Sequence, residues 1–220
     1  MNNSHMIYYI SLCLVLPIFL LCFYLERRAR RIIVSMICGV AAGIGAYFLN
    51  NWLKGLLGIG TVTFSMYVAP IAEELLKFIP VVAIHCIVKK GRRGSAANAY
   101  AVGLGFCVCE NFMYLFNSLE TATAFWLISR CVGAGLMHSM TTTLMGIGIY
   151  SARTGENNKL LRVLISLLGA IAFHMVFNIL AQTGLQLIAL MMPILAYLIL
   201  FFILKKENLL RFFREEFPEK

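Results

Sequence analysis

Residues 69–77 read Ala-Pro-Ile-Ala-Glu-Glu-Leu-Leu-Lys, inside a run that is otherwise apolar from about Thr61 to Val88. A carboxylate near the middle of a bilayer costs roughly 2.5–3.5 kcal/mol on insertion scales, so paired acids here point to a polar site within a membrane bundle. Glu73 and Lys77 are four residues apart, on one helix face with the acid first, the better order for an ion pair. Glu74 sits about 100° further round and is expected to lack a local partner. The plainer alternative is a structural ion pair with one spare acid.

The composition around this stretch supports a membrane setting. Of 220 residues, 60% are hydrophobic and only 13% charged, which is far from a soluble domain. A spanning helix needs about 20 mostly apolar residues. On that rule the chain is all-α, a bundle of about seven transmembrane helices at 7–25, 32–53, 62–88, 96–117, 123–150, 162–182 and 184–204. The third and fifth are long and are expected to tilt or break. Pro70 suits the first turn of a helix, with 61–69 as a separate lead-in.

The net charge of +9 does not point to nucleic acid, because the basic residues cluster at the ends of apolar runs. They follow the first, third, fifth and seventh spans, as at Arg27–Arg28, Lys89–Lys90, Arg153 and Lys205–Lys206, whereas Lys54 stands alone on the other side. The asymmetry predicts a multi-pass membrane protein with its N-terminus outside and its C-terminus cytoplasmic. Short loops leave room for a single domain, 1–220, and 207–217 reads as a short interfacial helix. The seven cysteines lie in or beside apolar runs and read as small packing residues.

Further polar groups interrupt three later spans. Glu110 and Tyr114 are four apart, so the phenol is within reach of the carboxylate, and Asn111 adjoins them. Glu110 lies about 9 Å below the outer end of its span, at 1.5 Å per residue. Arg130 reads as a counter-ion for one of the glutamates or for a lipid phosphate. His138 precedes Ser139 and Thr141–Thr143, whose hydroxyls are able to satisfy it. His174 and Asn178 are four apart on an otherwise apolar helix. Carboxylates and two histidines from four spans supply either a hydrolytic metal site, with three protein ligands and an open position, or a metal-free acid–base site.

In order, Glu73-Glu74-x-x-Lys77, Phe106-x-x-x-Glu110-Asn111-x-x-Tyr114, His138 and His174-x-x-x-Asn178 resemble the PrsW family of intramembrane proteases. That family is more distantly similar to the CAAX prenyl endopeptidase and Abi group, in which a histidine stands at the position of Glu110. The resemblance covers about 69–178. It implies a protease of the bacterial plasma membrane making the first, extracytoplasmic cut in a membrane-anchored anti-sigma factor, in regulated intramembrane proteolysis.

The enzyme reading makes Glu73 or Glu74 the general base that activates water. Glu110, His138 and His174 are then ligands of a divalent metal such as zinc, or transition-state stabilisers, and Lys77, Asn111, Tyr114 and Asn178 position the site or the substrate. Because Lys77 is expected to pair with Glu73, Glu74 is the freer base. Two other readings are a proton- or cation-coupled transporter, which uses the same acids and histidines as a relay, and a non-catalytic binder of partner transmembrane helices, which needs a groove but not the acids.

Overall fold

The computed structural model describes residues 26–87, 91–118, 123–155 and 157–216. Six long helices run through them: α1 (Arg27–Leu57), α2 (Ala69–Ile87), α3 (Arg92–Ser118), α4 (Gly135–Thr154), α5 (Lys159–Gln182) and α6 (Gln186–Glu216). No strand occurs among the described residues. The expected span at 7–25 lies outside them, so the described bundle has six long helices rather than seven. The segment read as a short interfacial helix continues α6 without a break as far as Glu216.

The two long spans are broken, and in the same way. A helical turn at Thr61–Thr63 and a π-helical turn at Phe64–Val68 lead into α2. A short helix at Ala124–Ile128 and a π-helical turn at Ser129–Ala134 lead into α4. α2 begins at Ala69 with Pro70 next, where a missing N–H costs a helix least.

α3 is central, packed against α1 on one side and α4 on the other. Glycines allow that closeness. A Cβ at Gly39 would overlap the Val102 carbonyl, and one at Gly105 would overlap that of Met36. A Cβ at Gly103 would strike the His138 carbonyl, so α3 and α4 touch backbone to backbone beside a candidate site residue. α2 packs against α1, α3, α4 and α5, while α6 covers α5 and the lead-in to α4.

The bundle buries many polar groups beside apolar core clusters and turns apolar side chains outward. α2 exposes Ile71, Leu75 and Ile79 and buries Glu73, Glu74 and Lys77. α4 buries His138, Ser139 and Thr141–Thr143, and Thr142 and Thr143 donate to the carbonyls of His138 and Ser139 at 2.9 and 2.7 Å. Such a surface belongs in lipid, where every interior polar group must find a protein partner. By length and composition, Arg27–Leu57, Gly94–Phe116 and Lys159–Gln182 are able to cross a membrane, and Gln186–Leu200 is a shorter apolar helix. α2 and α4 fall short because their buried positions hold the acids, the lysine, the histidine and the hydroxyls.

Candidate active site

The polar residues of α2, α3, α4 and α5 meet between the helices. Glu74 is fully buried, and one of its oxygens, Oε1, serves three partners. Lys77 Nζ donates to it at 2.5 Å, His174 Nδ1 lies 2.7 Å away, and Thr141 Oγ1 donates from 3.3 Å. The carboxylate can only accept, so His174 carries its proton on Nδ1 and turns the Nε2 lone pair outward. Sequence spacing paired Lys77 with Glu73, but the ion pair is with Glu74. Both spacings are within reach of a lysine on a helix, and α4 and α5 decide between them by placing Thr141 and His174 beside Glu74.

Glu73 is therefore the less committed acid. Asn50 Nδ2, from α1, donates to its Oε1 at 2.9 Å. Its Oε2 is buried with no hydrogen-bond partner and lies 3.7 Å from His174 Nε2. Two electron-pair donors thus face one another across a gap suited to a water or a cation. Glu73, His138 and His174 form a group whose ligand atoms lie within 4.8 Å of one another, and all three are buried. The donor set expected from sequence had Glu110 in the place that Glu73 takes in this group.

Glu110 is bound from the other side. Arg130 Nη2 donates to its Oε2 at 2.7 Å, and His138 Nε2 approaches the same oxygen at 2.9 Å. Arg130 is thus the counter-ion of Glu110. His138 Nδ1 lies 2.9 Å from Lys77 Nζ, which donates, so His138 commits both ring nitrogens. Its ring also meets His174 edge-on, with centroids 4.9 Å apart, and Phe106 at 5.0 Å.

The remaining expected residues hold the walls. Asn111 accepts from Arg130 Nε at 3.2 Å and donates to the Arg130 carbonyl at 3.3 Å. Tyr114 meets Arg130 through its ring, 3.9 Å from Cζ to centroid. Asn178 bonds not to His174 but to the Ser65 carbonyl, at 2.8 Å. Gln182 Nε2 donates to Ser65 Oγ at 2.7 Å. Asn50, Ser65 and Gln182 were missed from sequence. Each is a single amide or hydroxyl near the end of an apolar run, where polar residues are ordinary.

Two cavities meet at this cluster. One, of about 560 Å³, is lined by the lead-ins to α2 and α4 and by the facing ends of α5 and α6. The other, of about 320 Å³, lies against α1 at Tyr47, Asn50 and Lys54. Both have Glu73 and Glu110 in their walls, whereas Glu74 lines neither. They lie toward the end of the bundle where α1, α3 and α5 finish.

Comparison with known proteins identifies the family. Residues 31–204 match the family model described as PrsW family intramembrane metalloprotease. No curated protein and no solved structure matches the chain. A match over most of the 220 residues, with the acids and histidines gathered between the helices, leads to one conclusion: the chain belongs to the PrsW family of intramembrane metalloproteases.

Proposed function

We propose that this protein hydrolyses a peptide bond of a single-span membrane protein with a water activated among Glu73, His138, His174 and Glu110. The observation that carries the reading is Glu73 Oε2, a buried carboxylate oxygen with no partner, in a side chain that borders both cavities. Glu74 and Lys77 are positioning residues: Glu74 fixes the tautomer of His174, and Lys77 holds His138.

The donor chemistry fits a divalent metal, zinc in our reading. Glu73, His138 and His174 would hold it, and the Glu74–His174 contact is the carboxylate support that a metal-ligating imidazole requires. A bound zinc supplies Lewis-acid polarisation and lowers the pKa of water to about 7. Glu110 lies outside that trio, keeps 18% side-chain exposure and borders both cavities, so it takes the proton from the attacking water. Arg130 keeps its carboxylate oriented.

A second reading is favoured by Lys77. Its ammonium already supplies a positive charge within the cluster, and His138 binds a metal only by exchanging Lys77 or Glu110 for it. In a metal-free site Glu73 itself takes the proton from water.

The substrate we propose is a membrane-anchored anti-sigma factor of the bacterial plasma membrane. The basic residues after the first, third, fifth and seventh apolar runs favour a cytoplasmic C-terminus and an N-terminus outside, and with them cavities in the outer half of the bilayer. That placement supports a first, extracytoplasmic cut.

Elemental analysis and cleavage of single-span substrates in detergent test both readings. With a metal, Glu73→Gln loses metal and cleavage together. Glu110→Gln keeps the metal and loses rate by about 10²–10⁴-fold. Chelator-resistant cleavage by metal-free protein selects the second reading. A pure, folded parent that cleaves no single-span substrate overturns both.

A further inference from the structure

Cutting a helix inside a membrane raises a backbone problem. The scissile segment must unwind to be reached, and its freed N–H and C=O groups then need partners where water is scarce. The two cavities hold unused partners on either side of Glu73. Asn50 lines the smaller one. Its Nδ2 is committed to Glu73, and its Oδ1 is buried with no partner. Ser129 lines the larger one, and its Oγ is likewise buried with no partner. Ser139 Oγ is buried without a partner too but lines neither cavity, whereas Ser35, Ser166 and Thr143 each donate to a carbonyl of their own helix at 2.7–2.8 Å. Ser129, at the start of the π-helical turn, does not.

From this pair we infer that Asn50 and Ser129 are docking residues for the backbone of an unwound peptide, one on each side of the site. Asn50 Oδ1 accepts a peptide N–H, and the Ser129 hydroxyl donates to a peptide carbonyl. The ligand class is an extended main chain, recognised without regard to its side chains. Asn50 also couples the two events, because the amide that receives the peptide is the one that holds Glu73. The inference rests on the hydrolytic reading for its purpose, but its geometry is independent of the metal.

The test uses full-length protein carrying Glu110→Gln, in detergent micelles, with two fluorescein-labelled synthetic peptides of about 22 residues. One is an uninterrupted Leu/Ala helix, and the other has Gly-Ser-Gly-Ser at its centre. The broken-centre peptide should bind at least about tenfold tighter by fluorescence anisotropy, which corresponds to roughly two docking hydrogen bonds. Ser129→Ala and Asn50→Leu should each weaken that peptide by about 3- to 10-fold and leave the uninterrupted helix unchanged. Should Asn50→Leu fail to fold, Ser129→Ala carries the test alone. Equal binding of the two peptides, no binding of either, or an unchanged affinity in Ser129→Ala overturns the inference. Cleavage of the broken-centre peptide by the parent is followed in parallel. Binding without cleavage counts against the hydrolytic reading and leaves docking in place. Cleavage whose KM is untouched by Ser129→Ala does the reverse.

Discussion

The two π-helical turns, Phe64–Val68 and Ser129–Ala134, look alike but are specified differently. At the first, the Ala69 N–H goes to the Phe64 carbonyl, and Pro70 has no N–H to offer Ser65. The Ser65 carbonyl is left over and Asn178 takes it. That break is written into the covalent chain. The second contains no proline. There the Arg130 carbonyl receives Asn111, while the Arg130 side chain is tied to Asn111 and Glu110. That break is held from outside, by α3. In both, an asparagine from a neighbouring helix holds a π-turn carbonyl in the wall of the larger cavity. The lesson is that one shape can be imposed by a missing donor or by a bound charge, and only the second depends on its partners.

Removing the charge should have the largest effect. Arg130→Met leaves Glu110 without its counter-ion and the second turn without its anchor. Stranding a largely buried charge places the loss at about 3 kcal/mol, the low end of the range, since both partners keep some exposure. Thermal unfolding in detergent reads it, and a loss below about 1 kcal/mol would mean the turn does not depend on the ion pair.

The asparagines come next. Asn111→Leu removes contacts to both the backbone and the side chain of Arg130 and should cost about 2 kcal/mol. Asn178→Leu leaves only the Ser65 carbonyl bare and should cost about 1 kcal/mol. The ordering is the informative part: equal losses, or the reverse order, would erase the distinction between the two turns.

The smallest effect sharpens the comparison most. In a Pro70→Ala background residue 70 regains an N–H, and Ser65 gains a backbone donor. Asn178→Leu should then be milder, with a coupling of about 0.5 kcal/mol in a double-mutant cycle. Additive losses would show that the proline is not what frees the Ser65 carbonyl.

Much of this was legible in sequence, for physical reasons. Charged and imidazole groups stand out in apolar helices because lipid makes them costly, so Glu73, Glu74, Glu110, His138 and His174 could be singled out together. The breaks in the long spans were legible from length, and the first from Pro70. What could not be read was the pairing. Glu73 and Glu74 differ by one helical step, and the choice of Lys77 between them rests on Thr141 and His174, which reach Glu74 from α4 and α5. The same holds for Asn178, whose neighbour on its own helix is His174 but whose bond is to a carbonyl more than a hundred residues earlier. Asn50 gave no signal, because an amide near the end of an apolar run usually marks only the approach of water.

α2 carries the paired glutamates on one face and Ile71, Leu75 and Ile79 on the other. At 19 residues it is about 28 Å long, close to the roughly 30 Å thickness of the hydrocarbon layer, and the helical lead-in from Thr61 to Val68 extends it at the site end. A bilayer that thickens or thins is met partly by helix tilt. Tilt of α2 moves Glu73 relative to His138 and His174, which ride on other helices. On the proposed function, hydrolytic rate should then follow the thickness of the surrounding membrane, and bilayers of graded acyl-chain length become a dial on the site.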